Sequence, residues 1–156
     1  MVPMQKGCTG LAAANVFKDN HFPQTFKNRM LAVLTPGVVV FGIPNCDSVK
    51  KTCVWLASQG ISYTFHNFKK QGIAPDLLSA WTAAVGWETL VNRKSTTWRQ
   101  LDPATRLAVC NAASATDLML RHPGVIKRPV VRWADGRISV GFDIVQFAKI
   151  AATSSL

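Results

Sequence analysis

A strand–helix–strand pattern between residues 38 and 66 constrains the fold more than any other feature of the sequence. Residues 38–41 (VVVF) form a short, wholly apolar run of the kind found in buried strands of parallel sheets. A helical pattern begins near Cys46 and ends at Gly60, a residue type that often follows a helix C-terminus. Residues 61–66 (ISYTFH) then alternate between apolar and polar, which predicts a second strand with one polar face. Such a unit predicts two parallel strands joined by a right-handed crossover.

The middle of the chain is predicted to be helical. One helix begins at a proline, spans residues 75–85 and ends at Gly86. Asp102, followed by a proline, is expected to cap a second helix that includes residues 105–112. Residues 114–117 (SATD) resemble a capping box and predict the start of a third helix.

The C-terminal part predicts a hairpin and a last helix. Residues 130–133 (VVRW) and 138–140 (ISV) flank an Asp-Gly pair, which is typical of a β-hairpin. Asp143 is expected to cap a final helix that runs through Ile150. The order β-α-β, helical insertion, β-β-α predicts a two-layer α/β domain with a mixed sheet of about four strands. This order suits a thioredoxin-like fold.

Residues 1–36 lack these patterns. They contain one acidic residue and no apolar stretch long enough for the core of a signal peptide. We expect a flexible extension, or an upstream start codon with Met30 as the true first residue. The domain itself is assigned to residues 37–152.

The net charge favours anionic partners. Eighteen Lys and Arg residues against eight Asp and Glu residues give +10. The cations stand in short pairs rather than in the continuous tract of a nucleic-acid-binding arm, so nucleic acid is not the favoured partner. A solvated basic surface explains the charge equally well. No apolar run reaches the roughly 18 residues of a membrane span, so we expect a soluble protein without a membrane partner.

The four cysteines stand at positions 8, 46, 53 and 110, with spacings that match neither a CxxC pair nor a zinc site. So few cysteines are typical of reduced thiols in the cytoplasm rather than of a disulfide-stabilised secreted domain. His66 and His122 have no partners at ligand spacing, and we therefore expect no metal site.

Cys46 is the principal candidate for chemistry. It follows a buried strand and stands at the first turn of a helix, where unpaired N–H groups and the positive end of the helix dipole favour a thiolate. Lys50, one turn later, adds positive charge. The alternative is a small core residue, because Cys46, Val49, Cys53 and Leu56 form one apolar stripe.

Cys53 is not expected to be a resolving thiol for Cys46. Seven residues along a helix correspond to a rise of about 10.5 Å, beyond the roughly 7 Å between Cα atoms that a disulfide tolerates. Cys53 and Cys110 are both expected to lie in the core, and nothing in the sequence gives Cys8 a role.

Two basic segments could bind an anion beside the candidate nucleophile. Lys127-Arg128-Pro129 precedes an apolar strand, and a cis bond before the proline would hold the arginine backbone against a ligand. Residues 92–99 (NRKSTTWR) form a loop in which Arg93, Lys94 and Arg99 could grip a carboxylate or an oxyanion. A solvated basic loop is the alternative for each segment.

Three motifs together resemble the ArsC/Spx family, and the YffB-like branch is the most similar. They are residues 40–51 (VFGIPNCDSVKK), 96–99 (TTWR) and 126–129 (IKRP). The resemblance covers about residues 38–150 and implies a thioredoxin-like fold with a helical insertion. It also implies that Cys46 is the nucleophile, as in the arsenate reductase branch.

The arsenate-binding positions of that branch are only partly matched. The resemblance implies that Arg128 is one of three arginines around the arsenate. Asn92 occupies the position of the first arginine, with Arg93 one residue away, and Ser114 occupies the position of the second. A histidine close before the nucleophile corresponds to Gly42. These differences make arsenate an alternative substrate rather than the first one expected.

The YffB-like branch implies a single-cysteine, glutathione-dependent thiol reductase, with glutathione as co-substrate and no bound cofactor. The candidate residues for binding glutathione or an oxyanion are Asn45, Lys50, Arg93, Lys94, Arg99, Arg128 and Pro129. Spx-type regulators often carry Cys-x-x-Cys, whereas this chain reads Cys46-Asp47-Ser48-Val49, so that redox switch is missing. A regulator that binds RNA polymerase is the second alternative.

Overall fold

The computed structural model describes residues 37–153, which contain a mixed four-stranded sheet. The predictions for residues 1–36, including Met30 and Cys8, lie outside the described residues. The strands are β1 (Val38–Gly42), β2 (Tyr63–Asn67), β3 (Val130–Arg132) and β4 (Ile138–Val140). Their order is β2-β1-β3-β4; β1 is parallel to β2 and antiparallel to β3, and β3 is antiparallel to β4. The mixed sheet, its parallel first pair and the hairpin are confirmed.

Six helices of 4 to 11 residues between β2 and β3 form the insertion, and helices of 12 and 10 residues follow β1 and β4. Asp102 and Asp143 cap helices as predicted, since their carboxylates accept from the N–H groups of Thr105 at 2.8 Å and Gln146 at 3.0 Å. None of the helices described is long and apolar enough to cross a bilayer. The helices are α1 (Asp47–Ser58), α2 (Phe68–Gln71), α3 (Pro75–Val85), α4 (Trp87–Leu90), α5 (Thr96–Gln100), α6 (Pro103–Ala108), α7 (Ala112–Arg121) and α8 (Ile144–Thr153), with a 3-10 turn at Pro123–Val125.

Helices cover both faces of the sheet. Val39 and Phe41 of β1 point into one core, formed with the insertion, whereas Val38 and Val40 point into another, formed with α1 and α8. We call these the insertion core and the α1–α8 core. Burial on both sides explains why β1 contains no polar residue. The expected two-layer arrangement is therefore wrong: the domain has three layers, because the helical insertion covers the sheet face opposite α1 and α8.

The prediction that β2 has one polar, solvent-exposed face is also partly wrong. His66 is 6% exposed, and its Nε2–H donates to the carbonyl of Gly72 at 2.8 Å. Its ring packs against Phe41 and Phe68 at centroid distances of 5.2 and 6.5 Å. The insertion buries this face of the strand, while Tyr63 at its other end is exposed.

The helix predicted over residues 105–112 ends early, and Cys110 is exposed rather than buried in the core. Asn111 is the reason, because its side chain accepts from the N–H of Ser114 at 2.9 Å and starts a new helix. Ser114 is thus the third residue of α7 and the reciprocal partner in a capping box, not the cap itself. Val109, 7% exposed, fills the core position instead.

Candidate active site around Cys46

The candidate site lies at the edge of the sheet where β1 ends and β3 begins. Phe41 of β1 pairs with Val130 of β3, which pairs in turn with Val140 of β4. The N–H of Gly141 donates to the carbonyl of Pro129 at 2.7 Å and extends the hairpin to this edge. The segments after β1, before β3 and after β4 therefore lie side by side, and we call this region the site edge.

Cys46 lies at the site edge, immediately before α1. Its backbone is extended (φ −132°, ψ 121°), and its carbonyl accepts the first helical hydrogen bond, from the N–H of Lys50 at 3.0 Å. The side chain makes no capping hydrogen bond, is partly exposed and packs against the α1–α8 core. The unpaired N–H groups of the first turn of α1 follow it directly in the chain. Asn45 and Lys50 are exposed on either side along the chain.

Gly42 allows α1 to lie close to β1. A Cβ atom at this position would lie 2.7 Å from Cγ2 of Val49, which is 2% exposed. A side chain here would push α1 away from the strand that it follows. The contact therefore holds Cys46 against the end of β1.

Arg128 and Pro129 enter the site edge from the β3 side. Pro129 is buried beside the first residue of β3, and the peptide bond between the two residues is cis, the isomer considered from the sequence. Arg128 is half-buried. The register of β1 and β3 thus brings both residues to the edge that carries Cys46.

The second basic loop is attached to the same region by an isolated β-bridge between Val91 and Ile126. Two backbone hydrogen bonds of 2.7 Å flank this bridge and fasten the loop to the segment that leads into β3. Arg93 and Lys94 follow the bridge directly and are both exposed. Because the bridge is antiparallel, the chain runs from Val91 towards Val125 rather than towards Arg128.

Two indole rings hold the guanidinium of Arg93. Its Cζ lies 6.0 Å from the ring centroid of Trp87 and 5.7 Å from that of Trp98. Each such contact contributes about 0.5–1 kcal/mol at an exposed site. The rings therefore orient an exposed charge on the insertion. Sequence reasoning missed Trp87, because an aromatic residue six positions away carries no signal that it will meet this arginine.

Arg99 is exposed near the end of α5, five residues after Lys94 in the sequence. The helix begins at Ser95, whose hydroxyl accepts from the N–H of Trp98 at 3.0 Å. Gly124 lets α5 lie against the 3-10 turn, since a Cβ there would collide with Oγ1 of Thr97. Sequence reasoning also missed this glycine, and a short Pro-Gly turn before the basic motif was its only signal.

Cys53 packs against the α1–α8 core in the stripe that also contains the buried Val49 and Leu56. The hydroxyl of Tyr63 donates to the Cys53 sulfur, and this bond together with partial burial raises the pKa of Tyr63. Cys46 and Cys53 are both free thiols. Cys53 thus packs against the core as predicted, and Tyr63 is its hydrogen-bonding partner.

The site edge combines a partly exposed thiol at a helix N-terminus with cations from neighbouring segments. This arrangement can stabilise a thiolate and attract an anionic substrate to it. Between residues 37 and 153, no group of three or more His, Cys, Asp or Glu side chains is arranged to hold a metal ion.

Comparison with known proteins identifies the family. The model of the ArsC family matches residues 41–150. An uncharacterised protein of Haemophilus influenzae is 36% identical over 106 residues, which are 68% of this chain and 91% of that protein. A solved structure of a YffB protein shares 42% identity and a TM-score of 0.68, covering 72% of this chain and 96% of that one. An arsenate reductase (ArsC)-related protein from Brucella melitensis shares 43% identity and a TM-score of 0.58, covering 77% and 96%.

These relatives confirm the thioredoxin-like fold with its helical insertion and the resemblance to the YffB-like proteins. The family match covers the end of β1, the segment that carries Cys46, the basic loop and the Arg128–Pro129 motif. The chain therefore belongs to the ArsC family.

Proposed function

We propose that this protein is a single-cysteine, glutathione-dependent thiol reductase with the Cys46 thiolate as its nucleophile. The observation that carries the proposal is a difference in exposure between two positions of α1 and its cap: Cys46 is partly exposed, whereas Val49, three residues later, is buried. Val49 stands where the second cysteine of a Cys-x-x-Cys pair would be, and its packing on Gly42 occupies that space. Among the described residues no thiol occupies that position, which supports a mechanism in which soluble glutathione completes the reaction.

The proposed reaction has two thiol–disulfide exchanges. The Cys46 thiolate attacks the glutathione sulfur of a mixed disulfide R–S–S–G, forms Cys46–S–S–G and releases R–S⁻, which takes a proton from water. A second glutathione thiolate then attacks the glutathione sulfur of that intermediate. This step releases oxidised glutathione and restores the Cys46 thiolate. One disulfide is reduced and one molecule of oxidised glutathione forms.

The basic residues would bind the two carboxylates of glutathione. Arg128 lies nearest in the sheet register, and Arg93, held by its indole rings, stands beyond the β-bridge with Lys94. Arginine suits this role because its planar donors match a carboxylate. The backbone before Pro129 would align the peptide part of glutathione. Such chemistry requires the reduced glutathione of the cytoplasm, which is the compartment we propose.

The direct test is turnover of a glutathionylated peptide in the presence of glutathione, with the released peptide thiol measured by mass spectrometry. We expect Cys46→Ser to abolish turnover and Cys53→Ser to preserve it. Thermal unfolding of both variants controls for misfolding. Equal losses in the two variants would exclude the single-cysteine mechanism.

A second measurement examines the thiolate itself. Iodoacetamide labelling of Cys46, read by peptide mass, should remain fast well below about pH 8, with Cys53 and Cys110 labelled slowly. A Cys46 that labels like a free thiol, or resists labelling, would argue against a nucleophilic role.

Two experimental outcomes would favour a different function. Arsenate-dependent oxidation of glutathione, without turnover of the peptide, would favour arsenate reduction; the Brucella relative is described as an arsenate reductase (ArsC)-related protein. Capture of the C-terminal domain of the RNA polymerase α-subunit, without turnover of any thiol substrate, would favour a regulator.

A further inference from the structure

A short turn after β2 presents two adjacent lysines to solvent. Lys69 and Lys70 of α2 are exposed, whereas Phe68, the first residue of this helix, is 4% exposed. The side chain of Asn67 accepts from the N–H of Lys69 at 2.9 Å, and the N–H of Asn67 donates to Oε1 of Gln71 at 2.8 Å. These bonds and the buried Phe68 fix the backbone that carries both ammonium groups. We call Lys69 and Lys70 the lysine pair.

The turn is closed and is fastened to the sheet on its other side. The N–H of Gly72 donates to the carbonyl of Phe68 at 3.1 Å, and the carbonyl of Gly72 accepts from Nε2 of the buried His66 at 2.8 Å. Gly72 has a φ of 67°, which glycine adopts without strain. A backbone held in this way is ordered before a ligand arrives, so that binding costs less conformational entropy.

The lysine pair lies at the end of the sheet that carries Cys46. β1 and β2 are parallel, and Gly42, the last residue of β1, stands opposite Asn67, the last residue of β2. Neighbouring strands lie about 4.8 Å apart. The chain therefore leaves both strands side by side. One path reaches the lysine pair two residues after Asn67, and the other reaches Cys46 four residues after Gly42.

Basic side chains collect at this end of the sheet and are not paired with acids. The segments that enter or leave the sheet here are residues 43–51, 68–72, 126–129 and 141–144. Their charged residues are six cations and two acids: Lys50, Lys51, Lys69, Lys70, Lys127 and Arg128, with Asp47 and Asp143. Among residues 37–153, none of these cations forms an ion pair. The turns at the opposite end, residues 59–62 and 133–137, carry only Asp135 and Arg137, which pair with each other. Unpaired positive charge thus distinguishes the end of the sheet that carries Cys46.

The order of the strands separates two kinds of ligand. β1 lies between β2 and β3, so that Cys46 follows the middle strand of the three, with Arg128 on the β3 side and the lysine pair on the β2 side. Arg128 is assigned to a carboxylate of glutathione in the reaction proposed above. The β2 side is left for the protein from which glutathione is removed.

We propose that the lysine pair binds an acidic segment of a glutathionylated protein substrate. The proposal rests on the reaction proposed above and names the class of protein on which it acts. Two adjacent, unpaired ammonium groups attract carboxylates, and the other cations at this end of the sheet strengthen the attraction. The continuous phosphate backbone of a nucleic acid fits less well, because Asp47 and Asp143 stand among the cations.

The test uses three substrates with the full-length protein at low ionic strength. They are a glutathionylated peptide with glutamates on both sides of the cysteine, the same peptide with glutamines at those positions, and the mixed disulfide of glutathione and 2-mercaptoethanol. Lys69→Gln/Lys70→Gln should lower kcat/KM for the glutamate peptide about five- to tenfold, because two attractive charges are lost. It should leave kcat/KM for the other two substrates unchanged. An equal loss with all three would assign the pair to glutathione and overturn the proposal.

Two further variants separate a local effect from net charge and from misfolding. Arg106→Gln/Lys149→Gln removes the same charge from α6 and α8 and should change kcat/KM for none of the substrates. An equal loss with the glutamate peptide in this control would overturn the proposal. Lys69→Glu/Lys70→Glu should turn over a peptide with lysines in place of the glutamates faster than wild-type protein does. Such a gain does not arise from a damaged fold.

A binding measurement separates this proposal from the proposed reaction. With Cys46→Ser protein, fluorescence anisotropy should show tighter binding of the glutamate peptide than of the glutamine peptide. The preference should disappear when the lysine pair is also replaced by glutamine. Wild-type protein that turns over none of the substrates would overturn the reaction, and this preference would then decide the docking surface.

Two results of the binding measurement would overturn the docking proposal even in an active enzyme. One is equal binding of the glutamate and glutamine peptides. The other is displacement of the glutamate peptide by single-stranded DNA of equal charge at a lower concentration, which would assign the lysine pair to nucleic acid.

Discussion

Cys46 depends on neighbouring residues that take no part in chemistry. Gly42 and Val49 hold the first turn of α1 against β1, and the cis bond before Pro129 directly precedes β3, the neighbouring strand. Each of these residues has an ordinary side chain or none. Their effect is positional, because a thiolate gains from a helix N-terminus only when it lies at that terminus.

The stacking of Arg93 leads to a prediction at the level of the residue. Arg93→Ala should raise KM for glutathione by about five- to tenfold, since it removes an oriented cation. Trp87→Leu should raise it by about two- to fivefold, because the cation is kept but loses one ring contact. Steady-state kinetics with varied glutathione measure both.

The control for this prediction is Lys149→Ala. It lowers the net charge by the same amount as Arg93→Ala, but on the exposed side of α8. It should leave KM for glutathione unchanged. A similar rise in KM in Lys149→Ala and Arg93→Ala would show that overall charge, rather than the oriented guanidinium, binds glutathione.

The packing of α1 on β1 leads to a prediction at the level of the element. Gly42→Ala should lower the free energy of unfolding by about 1–3 kcal/mol, because its Cβ overlaps the Val49 side chain. In Val49→Ala protein the same change should cost much less, since the colliding methyl group is gone. Urea unfolding of the four proteins in this cycle measures the coupling, and simple additivity would contradict the contact.

The start of α6 depends on the ionisation of Asp102. Hydrogen bonds from the hydroxyl and N–H of Thr105 lower the pKa of this carboxyl from its ordinary value of 3.8. The stabilisation is therefore present above that value and is lost as the pH falls through the lower folded-state pKa. Asp102→Ala should destabilise the protein at about pH 7, and the difference should shrink towards about pH 3. Urea unfolding at several pH values measures it, and a constant difference would contradict the charged cap.

The errors at the level of the element share one cause. Sequence patterns describe one element and its near neighbours, so they identified the helices and the hairpin. They could not show that Asn111 rather than Ser114 begins α7, because both residues are good caps. They also could not show that the insertion folds over His66, since that burial depends on residues distant in sequence.

At the level of the whole molecule, the net charge of +10 should affect the rate of substrate capture. Raising the ionic strength from about 0.01 M to about 0.5 M should lower kcat/KM for a glutathionylated substrate, because screening shortens the range of attraction. The matched control is the same substrate with esterified glutathione carboxylates, which should respond much less. Equal salt dependence of the two substrates would contradict electrostatic capture of glutathione.

The sequence alone determines four features: the order of elements, the parallel first pair of strands, the nucleophile candidate and the basic motifs. Each of them depends on local periodicity, on capping residues or on a short motif. Only the tertiary structure shows that the domain has three layers, that Gly42 must lack a side chain and that Trp87 meets Arg93. Those features arise where segments far apart in the chain come into contact, and the strand pairing that joins them is a property of the folded sheet.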